Sequence, residues 1–577
     1  MTALEPAPGE LTPDEVVKRK ETSPDLGRKL AFSTLIVALG FGGAKVISLV
    51  QTVIIAQVFG VGAEWDAFVT ANRIPELIFT LISGGALSHA FIPIFSSYLA
   101  RKDRPSAWHI ASHVINFMFT VTLMVSALVF LIAPWLVANV VAPGFTPAQV
   151  EQTAQLMRIL LLSTLIFSIS GICMGILHSH NHFLLPALSP IMFDVGILFG
   201  VIALLPIFGV TGIALGAVFG AALHLGVQIP GLIHYRARWW PQLGLRNPDL
   251  WRVIRLMLPR VAGLGVFSLN FLIMNNIASR LGTGSVSALD WGWRLMQIPQ
   301  TLIGTAMGTV IFPTLAAYSE VGDELNKRGA MSAALRFILI ASIPSAVGLI
   351  VIGQPLISLL ERGAFDASAS ALVYSTLRAF TLGLIVHSAL EVVARSFYAD
   401  KDTLTPLWAA LGGAGINLVL SFVLSDVNTV DQLSAYNAAI ALWPINSVQP
   451  YVGNVSGLAL ANSFGVMFEV LFLLWVLRRR WHGIQENVLA QAVVKTLAAS
   501  LVMAVAVVGV ELVWLRFAPG GGLLLTIGLV GTQTVVGIVV FFGTALVLRM
   551  SELNDLFRLV LRRQPDAALA SLGEQTK

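Results

Sequence analysis

Phe91-Ile92-Pro93-Ile94-Phe95-Ser96-Ser97-Tyr98 returns 220 residues later as Ile311-Phe312-Pro313-Thr314-Leu315-Ala316-Ala317-Tyr318. The same offset carries Leu177-His178 through Pro186 onto Phe397-Tyr398 through Pro406. Val210-Thr211-Gly212-Ile213-Ala214-Leu215 recurs as Val455-Ser456-Gly457-Leu458-Ala459-Leu460, now at an offset of 245. The second copy therefore holds an insertion of about 25 residues, placed most simply within 426–453. A duplicated unit of this length in an apolar chain predicts two pseudo-symmetric helical bundles with a transport pathway between them.

Of the 577 residues, 56% are hydrophobic and 12% charged. Soluble proteins carry about 25% charged residues, so most of this chain cannot cover a water-facing surface. It reads as an integral membrane protein. The formal charge of +5 does not indicate nucleic acid, because Lys and Arg lie in short clusters between apolar runs. Cys173, the one cysteine, excludes an intrachain disulfide and a cysteine metal cage. Residues 1–30 are rich in Pro and charge and read as a disordered tail.

A helix needs about 20 apolar residues to cross a hydrocarbon core of roughly 30 Å. The first copy offers runs at 31–60, 66–98, 107–139, 150–177, 183–207 and 210–235. The second offers 252–280, 285–317, 331–360, 366–398, 404–425 and 453–477, and two unrepeated runs follow at 488–515 and 521–549. The expectation is an all-α membrane fold of about fourteen spans. Its parts are a cytoplasmic tail (1–30), a six-span lobe (31–236), an amphipathic cytoplasmic linker (237–251) and a second six-span lobe (252–480). Two extra spans (488–549) and a tail (550–577) complete it.

Positive charge alternates with these spans. Lys18, Arg19, Lys20, Arg28, Lys29, Arg101, Lys102 and Arg104 fall on one side, followed by Arg236, Arg238, Arg246, Lys327, Arg328, Lys401 and Arg478–Arg480. The other side offers Arg280, Arg362 and Arg516. By the positive-inside rule both termini are cytoplasmic.

Charged residues inside the spans mark candidate function, since a charge at the bilayer centre costs about 2.5–3.5 kcal/mol on insertion scales. Span one holds Lys45 after Gly40-Phe41-Gly42-Gly43. Span two begins with Asp66 and holds Arg73, Pro75 and Glu76; span eight begins with Asp290 and holds Arg294 before Pro299. Lys45, Arg73 and Arg294 can line a hydrated cavity and attract an anion, arginine suiting phosphate through its planar fork. Alternatively, Asp66–Arg73 and Asp290–Arg294 form local ion pairs along one helix face. Asn270, Asn275 and Asn276 suit either a cation or a neighbouring helix.

His178, His180 and His182 have metal-like spacing, but the repeat sets them against the ordinary polar turn Tyr398–Asp402. No metal site is assigned. No nucleophile–base constellation or phosphate-cradling glycine loop appears, so the chain reads as a carrier and not an enzyme.

Asp66-Ala67-Phe68, Arg73-Ile74-Pro75-Glu76-Leu77 and Gly85 through Pro93 resemble the signature of the MviN/MurJ-type lipid II flippases. These belong to the multidrug/oligosaccharidyl-lipid/polysaccharide exporter superfamily. The second copy adds Gly284-Ser285-Val286-Ser287, Arg294-Leu295-Met296, Gly308 through Pro313 and Glu361 through Phe365. The resemblance implies a two-lobed carrier that moves undecaprenyl-pyrophosphate-linked peptidoglycan precursor from the inner to the outer leaflet of the bacterial inner membrane. It implies a lipid-tail groove at the last two spans, and a cavity where Asp66, Arg294 and Lys45 occupy functional positions. Family basic positions fall on Gln51 and Phe79, and a family acid on Gly84, so this cavity carries fewer charges.

The alternatives are a flippase for another polyprenyl-linked glycan, a drug/cation antiporter of the same superfamily and a non-transporting scaffold for cell-wall synthesis proteins. No cofactor is expected. Monovalent-cation or membrane-potential coupling stays open. The expected partners are lipid II and membrane lipids, with no nucleic acid.

Overall fold

The computed structural model describes residues 47–82, 85–425, 454–517 and 522–550. Lys45, Gly84, the tail 1–30, the insertion near 427–452 and the tail beyond 550 lie outside the described residues. Every regular element among the described residues is a helix. α1 (Ile47–Phe59) belongs to the first span, and α2 (Ala63–Ile82) and α3 (Gly85–Ala100) belong to the second. α4 (Arg104–Val141), α5 (Pro147–Ser179), α6 (Leu184–Phe208) and α7 (Thr211–His234) are spans three to six. α8 (Pro248–Ser279), α9 (Ser285–Val321), α10 (Glu324–Ser358), α11 (Ala367–Ala399), α12 (Leu404–Leu424) and α13 (Val455–Arg480) are spans seven to twelve. α14 (Glu486–Phe517) and α15 (Leu523–Val547) end the described bundle. Among the described residues twelve helices are long and apolar enough to cross a bilayer, and α1 and Ala90–Ala100 are shorter apolar helices. The expected all-α membrane fold of about fourteen spans stands, the described residues of the first two spans accounting for the two shorter helices.

The duplication is visible atom by atom. Asp103 N–H donates to Tyr98 O at 3.0 Å, and 220 residues on Asp323 N–H donates to Tyr318 O at 2.9 Å. His182 N–H meets Leu177 O at 2.9 Å; Asp402 N–H meets Phe397 O at 3.0 Å. The histidine segment is therefore the counterpart of an ordinary turn, and no metal cluster occurs among the described residues. A Cβ on Gly212 would lie 2.5 Å from the Leu204 carbonyl carbon, and one on Gly457 would lie 2.1 Å from Leu424 O. One partner has moved by 220 and the other by 245, so the insertion separates Leu424 from Gly457.

The described residues form two compact units that cut across the two copies. One takes Leu87–Phe119, Ile166–Val253 and the described residues up to Thr52; the other takes Val53–Ala86, Thr120–Leu165 and the chain from Ile254 onward. In the first unit α6 and α7 approach backbone to backbone, as small residues four apart allow in membranes. A Cβ on Gly196 would sit 2.1 Å from Gly220 Cα. Gly196→Leu is expected to destabilise this unit by about 2 kcal/mol or more, read as a lower unfolding temperature in detergent. The linker after α7 is irregular and not helical: Asn116 donates to Trp240 O at 2.6 Å, and His109 stacks on Trp240 at 4.0 Å.

In the second unit α9, α10, α11 and α13 share a core that includes Leu315, Ile338, Phe397 and Leu473. Lys327, a topology marker by sequence, is buried there between Asp400 and the Trp481 ring. Asp323 and Asp366 cap α10 and α11, the Asn326 and Ala369 backbone N–H groups holding their carboxyls below the ordinary range. Burial works against Asp402, but donors from Thr405 and Arg480 outweigh it and hold that carboxyl low as well. A depressed folded-state value stabilises at pH above the ordinary carboxylate value of about 4 and is lost as pH falls through it. The unfolding temperature is therefore expected to drop below pH of about 4, and less steeply in Asp366→Asn with Asp402→Asn.

Candidate substrate-translocation site

All the described candidate side chains that come together lie within the second unit. On α2, Asp66, Thr70 and Arg73 repeat at four and three residues; on α9, Ser287, Asp290 and Arg294 repeat at three and four. Each set occupies one helix face.

Asp66 is buried and does not pair with Arg73 among the described residues; that local alternative is corrected. Its carboxylate caps the first turn of α9. Oδ2 accepts from Gly284 N–H at 2.6 Å, and Oδ1 accepts from Ser287 N–H at 2.7 Å and Ser287 Oγ at 2.6 Å. An anion here meets backbone donors that the start of a helix leaves unsatisfied and the positive end of its dipole. Gly284 supplies the turn into α9 with φ of +89°, a conformation L residues rarely adopt. Trp65 stacks on Trp291 at 5.3 Å, and Trp291 Nε1 donates to Gly60 O at 3.1 Å.

The surrounding turns close tightly. A Cβ on Gly60 would lie 2.1 Å from Ala364 O, and one on Gly144 would lie 2.3 Å from Ser279 O. Ala364 N–H donates to Gln57 O at 2.8 Å. These turns join α1–α2, α4–α5, α8–α9 and α10–α11, all on the side to which the charge pattern assigns the outside.

Deeper along α2 and α9, one carboxylate serves two arginines. Asp290 Oδ2 accepts from Arg294 Nε at 2.6 Å, while Oδ1 lies 3.7 Å from Arg73 Nη2. Arg73 also lies 3.7 Å from Glu76 Oε2 and donates from Nε to Asn275 Oδ1 at 3.4 Å. Its side chain is 12% exposed and that of Arg294 is 44% exposed. Arg294 also lies 5.9 Å from the centres of the Trp65 and Trp291 rings. Among the described residues, Asp290 lies against both arginines and Glu76 against Arg73, offsetting their charge. This arrangement can exchange an internal carboxylate for an incoming anion.

Asn275 donates to Thr70 Oγ1 and Val141 O, both at 3.2 Å, and Asn417 donates to Asn270 Oδ1 at 2.6 Å. The asparagines therefore bind neighbouring helices. Gln51 is buried in α1, and Lys45 lies outside the described residues.

Span eight is irregular part-way along, where α9 passes through a π-helical turn at Thr301–Thr305. Interrupted helices are where carriers place their binding sites. An apolar groove of about 300 Å³ opens beside this turn. Pro299 and Leu302 of α9, Leu349 and Ile352 of α10, and Val530 and Thr534 of α15 are among its lining.

Solved structures share the fold, and curated relatives match along most of the chain. "Probable lipid II flippase MurJ" of Rhizobium tropici is 27% identical over 91% of this chain and 96% of its own length. "Lipid II flippase MurJ" of Burkholderia cenocepacia is 29% identical over 78% of this chain and 84% of its own. A solved "Lipid II flippase MurJ, inward closed conformation" has a TM-score of 0.72 at 22% identity, covering 92% of this chain and all of its own. A multidrug resistance MATE family transporter in an inward-facing conformation has a TM-score of 0.61 at 14% identity, over 77% of this chain and 96% of its own. The family profile described as "Lipid II flippase MurJ" matches residues 55–528, from α1 into α15. Covered over most of its length, and carrying the capped α9 and the shared arginines inside the matched stretch, this multi-pass membrane chain belongs to the lipid II flippase MurJ family.

Proposed function

We propose that this chain carries lipid II from the inner to the outer leaflet of the bacterial inner membrane by alternating access. Its six-span lobes (31–236 and 252–480) act as the moving bodies, and both termini lie in the cytoplasm. The observation that carries this reading is the cap of Asp66 on α9, with Arg73 and Arg294 sharing Asp290 behind it. The cap is a closure made of a few hydrogen bonds, and it can be undone without unfolding either helix.

Arg294, Arg73 and Lys45 receive the pyrophosphate. Arrival of the phosphate lets Asp290 give up its arginines, which removes a tie between α2 and α9. Release of Asp66 from Gly284 and Ser287 then opens the outer side. The polyprenyl tail follows the apolar groove walled by α15. Membrane potential supplies a drive, since each charge moved across it gains about 2.3 kcal/mol per 100 mV.

Complementation tests the reading. The chain is expected to restore growth to a bacterium depleted of its own lipid II flippase. A well-expressed, membrane-inserted protein that fails to do so overturns the assignment.

A further inference from the structure

The last turns of α13 hold a cluster that transport leaves unused. Trp475, Arg478, Arg479, His482, Gly483 and Glu486 line a groove of about 550 Å³ where α13 turns into α14. Trp475 is 47% exposed, and the Arg479 guanidinium lies 4.2 Å from its ring centre. Arg478 reaches Glu486 at 2.8 Å, and Arg480 reaches Asp402 at 2.7 Å. Of the three consecutive arginines, Arg478 and Arg480 are set against carboxylates, Arg480 also lying 5.2 Å from the Phe397 ring centre, while Arg479 lies on the exposed Trp475 face. Arginine over tryptophan at the end of an apolar helix is an arrangement suited to the headgroup layer.

The helix below the groove completes a lipid-shaped surface. Phe468, Leu471 and Trp475 fall at spacings of three and four, share one face of α13 and are all exposed. This stripe runs apolar toward the bilayer interior and ends at the basic groove. We propose that the groove binds the phosphodiester headgroup of an anionic inner-leaflet phospholipid, with Arg478 and Arg479 donating to the phosphate and the stripe lying along an acyl chain. Glu486 keeps Arg478 oriented and partly neutralised until the phosphate arrives. The site is separate from the α2–α9 faces, and its leaflet follows from the cytoplasmic placement of the end of α13.

The full-length protein is placed in nanodiscs of phosphatidylcholine alone or of an equimolar mixture with phosphatidylglycerol. Native mass spectrometry counts retained phosphatidylglycerol, and the unfolding temperature is followed in parallel. The parent is expected to retain phosphatidylglycerol and to unfold at a higher temperature in the mixture. Arg478→Gln and Arg479→Gln should each weaken retention by about five-fold, and Trp475→Ser should weaken it further. Arg101→Gln, a basic position outside the groove, should leave it unchanged. If loss of the Glu486 pair unfolds Arg478→Gln, Arg479→Gln alone decides, because it keeps that pair. Parent-like retention by the arginine variants overturns the proposal. So does glycerol phosphate that reproduces the stabilisation in phosphatidylcholine discs, which would make the ligand a free phosphate and not a lipid.

Discussion

Asp66→Ala is expected to abolish growth rescue of a flippase-depleted bacterium and to slow flipping by purified protein by about 100-fold or more. Three hydrogen bonds end on this carboxylate, from Gly284 N–H, Ser287 N–H and Ser287 Oγ. Hydrogen bonds to a charged group contribute roughly 1.5–3 kcal/mol each, and every 1.4 kcal/mol is about a factor of ten. Losing them releases the start of α9 from α2 and depopulates the outside-closed state on which each cycle depends. Asp66→Asn keeps one acceptor oxygen for Ser287 but sets an NH₂ group against Gly284 N–H, so it should fall between alanine and the parent. Ser287→Ala removes only the hydroxyl donor and should cost about ten-fold or less. Membrane abundance measured alongside separates a failed cycle from a failed fold. A fully active Asp66→Ala would show that the cap does not gate.

Arg294→Ala is expected to be nearly as severe, through binding of the headgroup. Arg294 is the more exposed of the two arginines that share Asp290. Its planar fork can meet two phosphate oxygens at once, which a lysine cannot. Arg294→Lys should therefore recover only part of the activity. Asp290→Asn makes the contrasting case. It removes the counter-charge that the two arginines share, Glu76 staying beside Arg73, so headgroup binding should tighten while turnover slows because release becomes harder. A lower KM with a lower kcat is the signature. Unchanged kinetics in both Arg294→Ala and Asp290→Asn would remove this pair from the mechanism.

What the chain discloses before folding follows from distance along it. Helix bounds were legible because apolar runs and polar turns are local, and the duplication supplied an internal check. α5 and α11 begin at Pro147 and Ala367 and both run 33 residues, the offset read first from the Pro93 and Pro313 segments. The Asp290–Arg294 pair was legible for the same reason, being four residues apart on a helix.

The partner of Asp66 was not legible. A carboxylate that caps a helix starting more than 200 residues later leaves no local trace, and its spacing from Arg73 pointed to an ion pair instead. The sharing of Asp290 by Arg73 is hidden in the same way. Trp65 and Trp291 gave no periodic signal, because their stacking belongs to the contact between two helix ends. The irregular point in span eight was only hinted at by Pro299. Gly304 of the π turn at Thr301–Thr305 packs closely against Ser388, a contact that leaves no local trace in the sequence.

Direct observation of lipid movement tests the central claim. Purified protein is reconstituted into liposomes carrying fluorescent lipid II, and a membrane-impermeant quencher reports the fraction that crosses. The parent should expose label to the quencher far faster than protein-free liposomes, and Asp66→Ala and Arg294→Ala should both return to the protein-free rate. Crossing at the protein-free rate by the well-folded parent would contradict the account.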